Sequence, residues 1–263
     1  MTDVEKLKQF NMGWFSLAGK VAIVTGGSTG LGQGYSIAFA AAGADVVIAS
    51  RKQVGWDETR DLIESKGRKV HFVQADLTEK GAAKKVVDSA LQAFGHIDIL
   101  VNNAGTIRRA PLLAYKDEDW EAVININLNA VYYLSHEAAK VFAQQKSGKI
   151  INIGSMLSFQ GGKFIPPYTA SKHGVAGLTK SFANELAVYN IQVNCIAPGY
   201  IKTANTAPIR ADKLRNKEIL DRIPAGHWAE PYELMGTAVF LASRASDYVN
   251  GHILAVDGGW LVR

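Results

Sequence analysis

A single cysteine, Cys195, in 263 residues excludes a disulfide within the chain. It lies in the apolar run Ile191–Ala197, where a free thiol reads as a small packing hydrophobe rather than a nucleophile. Long apolar runs are also missing: no stretch approaches the ~20 uncharged residues that span a bilayer. Residues 1–17 include Asp3, Glu5, Lys6 and Lys8 and hold no continuous apolar core, so they do not read as a secretory signal. These features together predict a cytoplasmic protein with no membrane partner. Runs of like charge are absent as well. The formal net charge is +5, yet the basic residues lie among acids. That pattern argues against nucleic acid and leaves the positive excess for a small anionic substrate or cofactor.

Several chemistries drop out for want of one residue. His136-Glu-Ala-Ala-Lys140 begins like a zinc-protease helix but has Lys where the second His belongs. The six histidines show no other ligand spacing, and no metal is expected. Gly154-Ser-Met-Leu157 lacks the closing glycine of a hydrolase nucleophile elbow. No Gly-Lys-Ser/Thr marks a nucleotide-hydrolysing loop. The aromatic residues read mostly as core or interface, with Trp260 a candidate subunit contact.

What the chain does have is alternation of short β-branched runs with longer amphipathic stretches. The strand candidates are 21–25, 45–49, 70–74, 97–101, 149–153, 192–196 and 253–256. Helical patterns cover 31–42, 56–66, 82–94, 118–145, 168–189 and 231–242. Seven strands with a helix in most gaps predict an α/β fold, a Rossmann-like doubly wound parallel sheet in a single domain over 1–263. The interval 198–229 holds three of the seven prolines and reads as an irregular, substrate-covering segment.

The first strand candidate runs into Gly26-Gly-Ser-Thr-Gly-Leu-Gly32. Such a turn between strand and helix lets backbone approach a pyrophosphate at the helix N-terminus. The second strand ends at Ser50-Arg51, where an arginine suits a ribose 2′-phosphate and an acid would suit the 2′-hydroxyl. This favours NADP over NAD; a solvated arginine at a strand end is the alternative. Tyr168 and Lys172, four apart, share one helix face after Pro166-Pro167. An ammonium beside a phenol favours the phenolate, which makes Tyr168 a candidate acid/base. Ser155 follows one strand candidate and Asn102-Asn-Ala-Gly105 another, at the carboxyl ends where parallel sheets place ligands.

Taken together, 25–32, 102–105, Asn127-Leu128, Ser155, Tyr168-Thr-Ala-Ser-Lys172 and Pro198-Gly199 resemble the short-chain dehydrogenase/reductase family, in order and spacing, from about residue 17 to 263. The resemblance implies an NAD(P)H-dependent oxidoreductase acting on a CH–OH group. Tyr168 would be the acid/base, Lys172 would lower its pKa and hold the nicotinamide ribose, and Ser155 would bind the reacting oxygen. Asn127 would hold a water linking Lys172 to solvent. Gly26, Ser28, Thr29, Gly30, Leu31 and Gly32 would wrap the pyrophosphate. Asp76 and Leu77 would contact adenine, Asn103, Ala104 and Gly105 the adenosine side, and Pro198, Gly199, Ile201 and Thr203 the nicotinamide and phosphate.

Further stretches (107–109, 155–162, 197–200, 219–226 and 256–263) resemble the family's sugar-acid branch. The implied reaction interconverts 3-deoxy-D-glycero-2,5-hexodiulosonate and 2-keto-3-deoxy-D-gluconate in uronate catabolism. That branch is described with NAD, against the NADP reading of Ser50-Arg51, and tetramers are usual in the family. Arg108 or Arg109 is expected to bind the substrate carboxylate, with an inter-subunit salt bridge as the alternative. Gln160, Asn205 and Arg210 are candidates for the sugar hydroxyls. Competing readings are a gluconate 5-dehydrogenase, a 3-oxoacyl thioester reductase, and a silent dinucleotide-binding sensor on the same fold.

Overall fold

Apolar runs without polar alternation suit strands covered on both faces. Seven form here: β1 (Val21–Thr25), β2 (Asp45–Ser50), β3 (Val70–Gln74), β4 (Ile99–Asn102), β5 (Gly148–Ile153), β6 (Ile191–Pro198) and β7 (Ile253–Val256). This is a computed structural model that describes residues 3–263; Met1 and Thr2 of the N-terminal stretch lie outside them. All pairings are parallel, in the order β3-β2-β1-β4-β5-β6-β7.

The helices are α1 (Asp3–Leu7), α2 (Gly30–Ala41), α3 (Trp56–Glu64), α4 (Ala82–Phe94), α5 (Asp117–Ile124), α6 (Ala130–Gln145), α7 (Pro166–Leu186), α8 (Ala207–Ala211), α9 (Lys213–Arg222) and α10 (Met235–Ala242). Side chains alternate across the sheet with the two-residue period of a strand. Ala22 and Val24 of β1 pack with Tyr35 and Phe39 of α2 and Leu241 of α10. Val21 and Ile23 face the other way, with Val86 of α4 and Leu134 and Phe142 of α6. Two cores thus sandwich one sheet.

Chain direction reverses its order of travel between β1 and β4, so their carboxyl ends open a crevice at the switch point. The helical pattern 118–145 forms as one unbroken helical run, with a five-residue π turn, Asn125–Asn129, joining α5 to α6. One sequence expectation changes: the interval 198–229 is not irregular, since it carries the end of β6 and helices α8 and α9. Asp212 caps α9 by accepting from the backbone N–H groups of Leu214 and Arg215, a local signal that outweighs the prolines. Pro208 lies in the first turn of α8, where a missing N–H costs little.

Candidate active site

β1 delivers the chain into a turn that only glycine fits. Gly26 and Gly30 have φ of 62° and 55°, in the left-handed region. A Cβ on Gly32 would lie 2.1 Å from the Gly26 carbonyl oxygen, so backbone rests directly on backbone. Thr29, at the N-cap of α2, makes no side-chain capping bond. The first N–H groups of α2 are therefore available to an anion, with the helix dipole behind them. Thr25 fixes the neighbouring loop: its Oγ1 accepts from the N–H groups of Asn103 and Ala104, both at 2.9 Å. Asn103 Nδ2 returns a bond to the Thr25 carbonyl at 2.8 Å.

These segments wall a cavity of about 370 Å³ that runs across the carboxyl ends of β1, β4, β5 and β6. Gly26, Thr29, Gly30, Leu31, Asn103, Ala104, Gly105, Pro198, Gly199, Ile201 and Thr203, candidates for the cofactor in the sequence, line it. Ser28 is buried and Gly32 lies beneath the turn, and neither lines the cavity. Ser50, Arg51, Asp76 and Leu77 lie beyond its wall, at the ends of β2 and β3. Arg51 is mostly exposed and sits 3.5 Å from Asp76, a surface pair too weak to hold it in place. The Asp76 carboxyl is held low mainly by hydrogen bonds from Thr78, with Arg51 contributing less.

Ser155, Tyr168 and Lys172 meet at the cavity's inner end. Ser155 stands just past β5 and its Oγ accepts from Leu157 N–H at 3.1 Å, which leaves the hydroxyl proton free to donate. Its hydroxyl and the Tyr168 phenol line the same cavity. Lys172, one turn along α7, is 6% exposed. Its Nζ donates to the Ile153 carbonyl at 2.7 Å and lies 5.5 Å from the centre of the Tyr168 ring.

Burial pushes the Lys172 ammonium down to about 8. The phenol departs from the sequence expectation. Burial raises Tyr168 above its ordinary value, opposed by the Ser155 hydrogen bond and the charge of Arg109 rather than by Lys172. Lys172 is desolvated itself and directs its ammonium at a carbonyl.

Asn127 is 1% exposed, in the π turn, and both ends of its side-chain amide are engaged. Oδ1 accepts from Thr106 N–H at 2.8 Å, while Nδ2 donates to the Thr106 carbonyl at 3.0 Å and to Ser171 Oγ at 3.3 Å. Its side chain anchors the loop after β4 to α7. Behind it, Asn102, Ser135, Asn152 and Thr179 form a buried hydrogen-bonded chain that ties β4 and β5 to α6 and α7. No sequence motif announced that chain.

A second cavity of about 810 Å³ opens on the other side of Ser155 and Tyr168, which line both. Arg109, Gln160 and Asn205, candidates for substrate contact in the sequence, line it. Arg109 Nη2 donates to the Asn205 carbonyl at 3.1 Å. The loops meet where Ala110 N–H donates to the carbonyl of Phe164, whose φ of 68° is unusual for a bulky residue. Arg108 does not line the cavity; its Nε turns 3.6 Å from Asp119 on α5. Arg210 points at the Thr203 carbonyl instead of the cavity. Trp260, expected at a subunit contact, is 5% exposed within its own chain and packs edge-on to Tyr200. Arg215, Ile219 and Arg222 also line this cavity; the stretch 219–226 resembles the sugar-acid branch, but the sequence reading gave none of the three a site role.

The arrangement sets a proton-donating hydroxyl and a phenol between a phosphate-accepting turn and a cation-rich cavity. Such a site can exchange a proton with a hydroxyl or carbonyl held between the two. The short chain dehydrogenase family model matches residues 20–214. The 2-dehydro-3-deoxy-D-gluconate 5-dehydrogenase of Bacillus subtilis (strain 168) is 56% identical over 251 residues, 95% of this chain and 97% of that protein. An uncharacterized oxidoreductase of Escherichia coli (strain K12) is 51% identical over 262 residues, 99% of this chain and 100% of its own length. Among solved structures, a putative 2-deoxy-D-gluconate 3-dehydrogenase from Agrobacterium tumefaciens with bound NADP is 51% identical and has a TM-score of 0.89, covering 95% of this chain and 99% of that one. The chain belongs to the short chain dehydrogenase family.

Proposed function

We propose that the chain is an NADP-preferring oxidoreductase interconverting 3-deoxy-D-glycero-2,5-hexodiulosonate and 2-keto-3-deoxy-D-gluconate. The observation that carries this reading is the position of Tyr168 and Ser155 in the wall shared by two cavities. One cavity has the phosphate-accepting turn and the other has the arginines suited to a sugar acid. Similarity to the Bacillus subtilis enzyme supports the substrate assignment, and the Agrobacterium tumefaciens structure supports the cofactor.

A bound nicotinamide dinucleotide would supply or accept the hydride. The free N–H groups at the start of α2 suit its pyrophosphate, with Gly26, Thr29, Gly30 and Leu31 around them. Ser50 and Arg51 would take a 2′-phosphate; Arg51 is loosely held and free to turn. Asp76, Leu77 and Asn103 would border the adenosine half, and Ile201 and Thr203 the nicotinamide half. Lys172 would hold the ribose hydroxyls beside it.

In the reduction direction Ser155 donates a hydrogen bond to the substrate carbonyl oxygen, and the Tyr168 hydroxyl gives up its proton there as that oxygen gains charge. Oxidation runs the same proton back to the Tyr168 oxygen. Burial keeps the phenol protonated, which suits it as the acid; Arg109 and Ser155 restrain that rise so that it can also serve as the base. Residues 198–229 cover the substrate through Asn205, Thr206 and Ile219.

Steady-state kinetics with the 2,5-diketo acid, 5-ketogluconate and a 3-oxoacyl thioester, each with NADPH and NADH, test this reading. The diketo acid with NADPH is expected to give a kcat/KM at least about 100-fold above the other carbonyls. Arg51→Asp should reverse the cofactor order. Tight NADPH binding with no turnover of any carbonyl would mark a sensor and overturn the proposal.

A further inference from the structure

Three arginines line the larger cavity, and they are not equivalent. Arg215 is committed to Glu218, with Nη1 at 2.8 Å from the carboxylate. Arg109 donates to the Asn205 carbonyl, and its charge acts on the Tyr168 phenol. Arg222 alone of the three has neither a carboxylate nor a backbone partner among the described residues; its one side-chain bond is a long one, 3.4 Å, to Gln160 Oε1. It is nevertheless held. Its guanidinium lies 4.0 Å from the centre of the Trp260 ring, and that ring is fixed by Tyr200 at 4.7 Å, itself edge-on to Trp228. A planar cation stacked on a buried indole loses little freedom when its N–H groups engage a second planar ion.

We infer that Arg222, with Gln160 beside it and Trp260 beneath it, is the subsite that binds the substrate carboxylate, while Arg109 serves the reacting end. This rests on the functional reading above and deepens it. The reacting carbon of the proposed substrate is separated from its carboxylate by three carbons, so the two ends call for two different groups. The phenol, Arg109 and the Arg222–Trp260 pair all line the same cavity. Position in the chain agrees: Arg222 and Trp260 both fall after residue 214, where the match to the shared family model ends.

The test compares the sugar acid with its primary amide, same in shape and without charge, in wild type, Arg222→Gln, Arg222→Lys and Arg109→Gln. Losing a charge-assisted bidentate contact should lower kcat/KM for the acid about 100-fold in Arg222→Gln, through KM. The amide should be turned over equally by wild type and Arg222→Gln, a pattern that mere loosening of the pocket would not give. Arg222→Lys should recover part of the loss for the acid. NADPH affinity and thermal midpoint serve as controls for folding. Unchanged acid-over-amide preference in Arg222→Gln would overturn the subsite, as would its loss only in Arg109→Gln. If wild type turns over neither compound, the functional reading falls, and calorimetry with D-gluconate then judges the subsite alone. Binding lost in Arg222→Gln supports it, and equal binding in the two proteins overturns it.

Discussion

The positive charge of Arg109 lowers the Tyr168 pKa against the rise that burial causes, and that has a consequence for pH. Oxidation needs the phenolate, so its rate rises with pH through the pKa of Tyr168. Removing the positive charge of Arg109 lets that pKa climb further, since the charge lowers it. Arg109→Gln is therefore expected to shift the rising limb of the kcat/KM profile for oxidation to higher pH, with the limb's shape retained. A profile that does not move would show that the charge does not reach the phenol. That Ser155, Tyr168 and Lys172 come together on the smaller cavity was legible beforehand, because they follow fixed spacings. Their electrostatic assignments were not. Arg109 lies past Asn102-Asn-Ala-Gly105, among residues 106–110, where no motif points to the phenol. The same limit hid the orientation of Arg108, since nothing in Arg-Arg tells which one meets Asp119.

The turn between β1 and α2 works through the absence of a side chain. A methyl at Gly32 would meet the Gly26 carbonyl oxygen at 2.1 Å, backbone against backbone, with no flexible partner to yield. Gly32→Ala should destabilise the chain by about 2 kcal/mol or more and weaken NADPH binding at least tenfold, because the turn must open. Chemical denaturation and fluorescence titration measure both, and a variant with wild-type affinity would contradict this role. Strand positions were readable to within a residue or two, since β-branched runs flanked by turns have few other fates. The helices were harder. The π turn at 125–129 leaves hydrophobic periodicity nearly intact and shows itself only through the Asn127 bonds to Thr106. Between 198 and 229 the prolines looked like breakers, yet Pro208 falls in a first turn and Asp212 caps the next helix.

Across the molecule, stability records the burial of Lys172. Its ammonium has an ordinary value of 10.5 and falls to about 8 in the fold. Below pH 8 the folded and unfolded chains both carry the proton, and the full cost of burying the charge is present. Between 8 and 10.5 the folded chain releases its proton first, so that cost fades as pH rises. The depression from 10.5 to about 8 is equivalent to about 3 kcal/mol. Lys172→Met removes it but strands the Ile153 carbonyl, for about 1 kcal/mol in return. In the cofactor-free chain, Lys172→Met should be more stable than wild type at pH 7 by about 2 kcal/mol, with the gap closing toward pH 10.5. A gap that stays constant with pH would show that the ammonium is not desolvated. The arrangement of one covered parallel sheet was open to sequence reading, because strand and helix patterns alternate along nearly the whole chain. The two adjoining cavities were not, since they belong to the spaces between loops.

The most direct measurement is the rate of a single turnover of the 2,5-diketo acid by enzyme saturated with NADPH, in wild type and in Tyr168→Phe. Loss of the proton donor should slow the chemical step by about 10²–10⁴-fold while NADPH binds as before. A Phe variant that turns over at the wild-type rate would mean that the phenol at the junction of the two cavities is not the group that moves the proton.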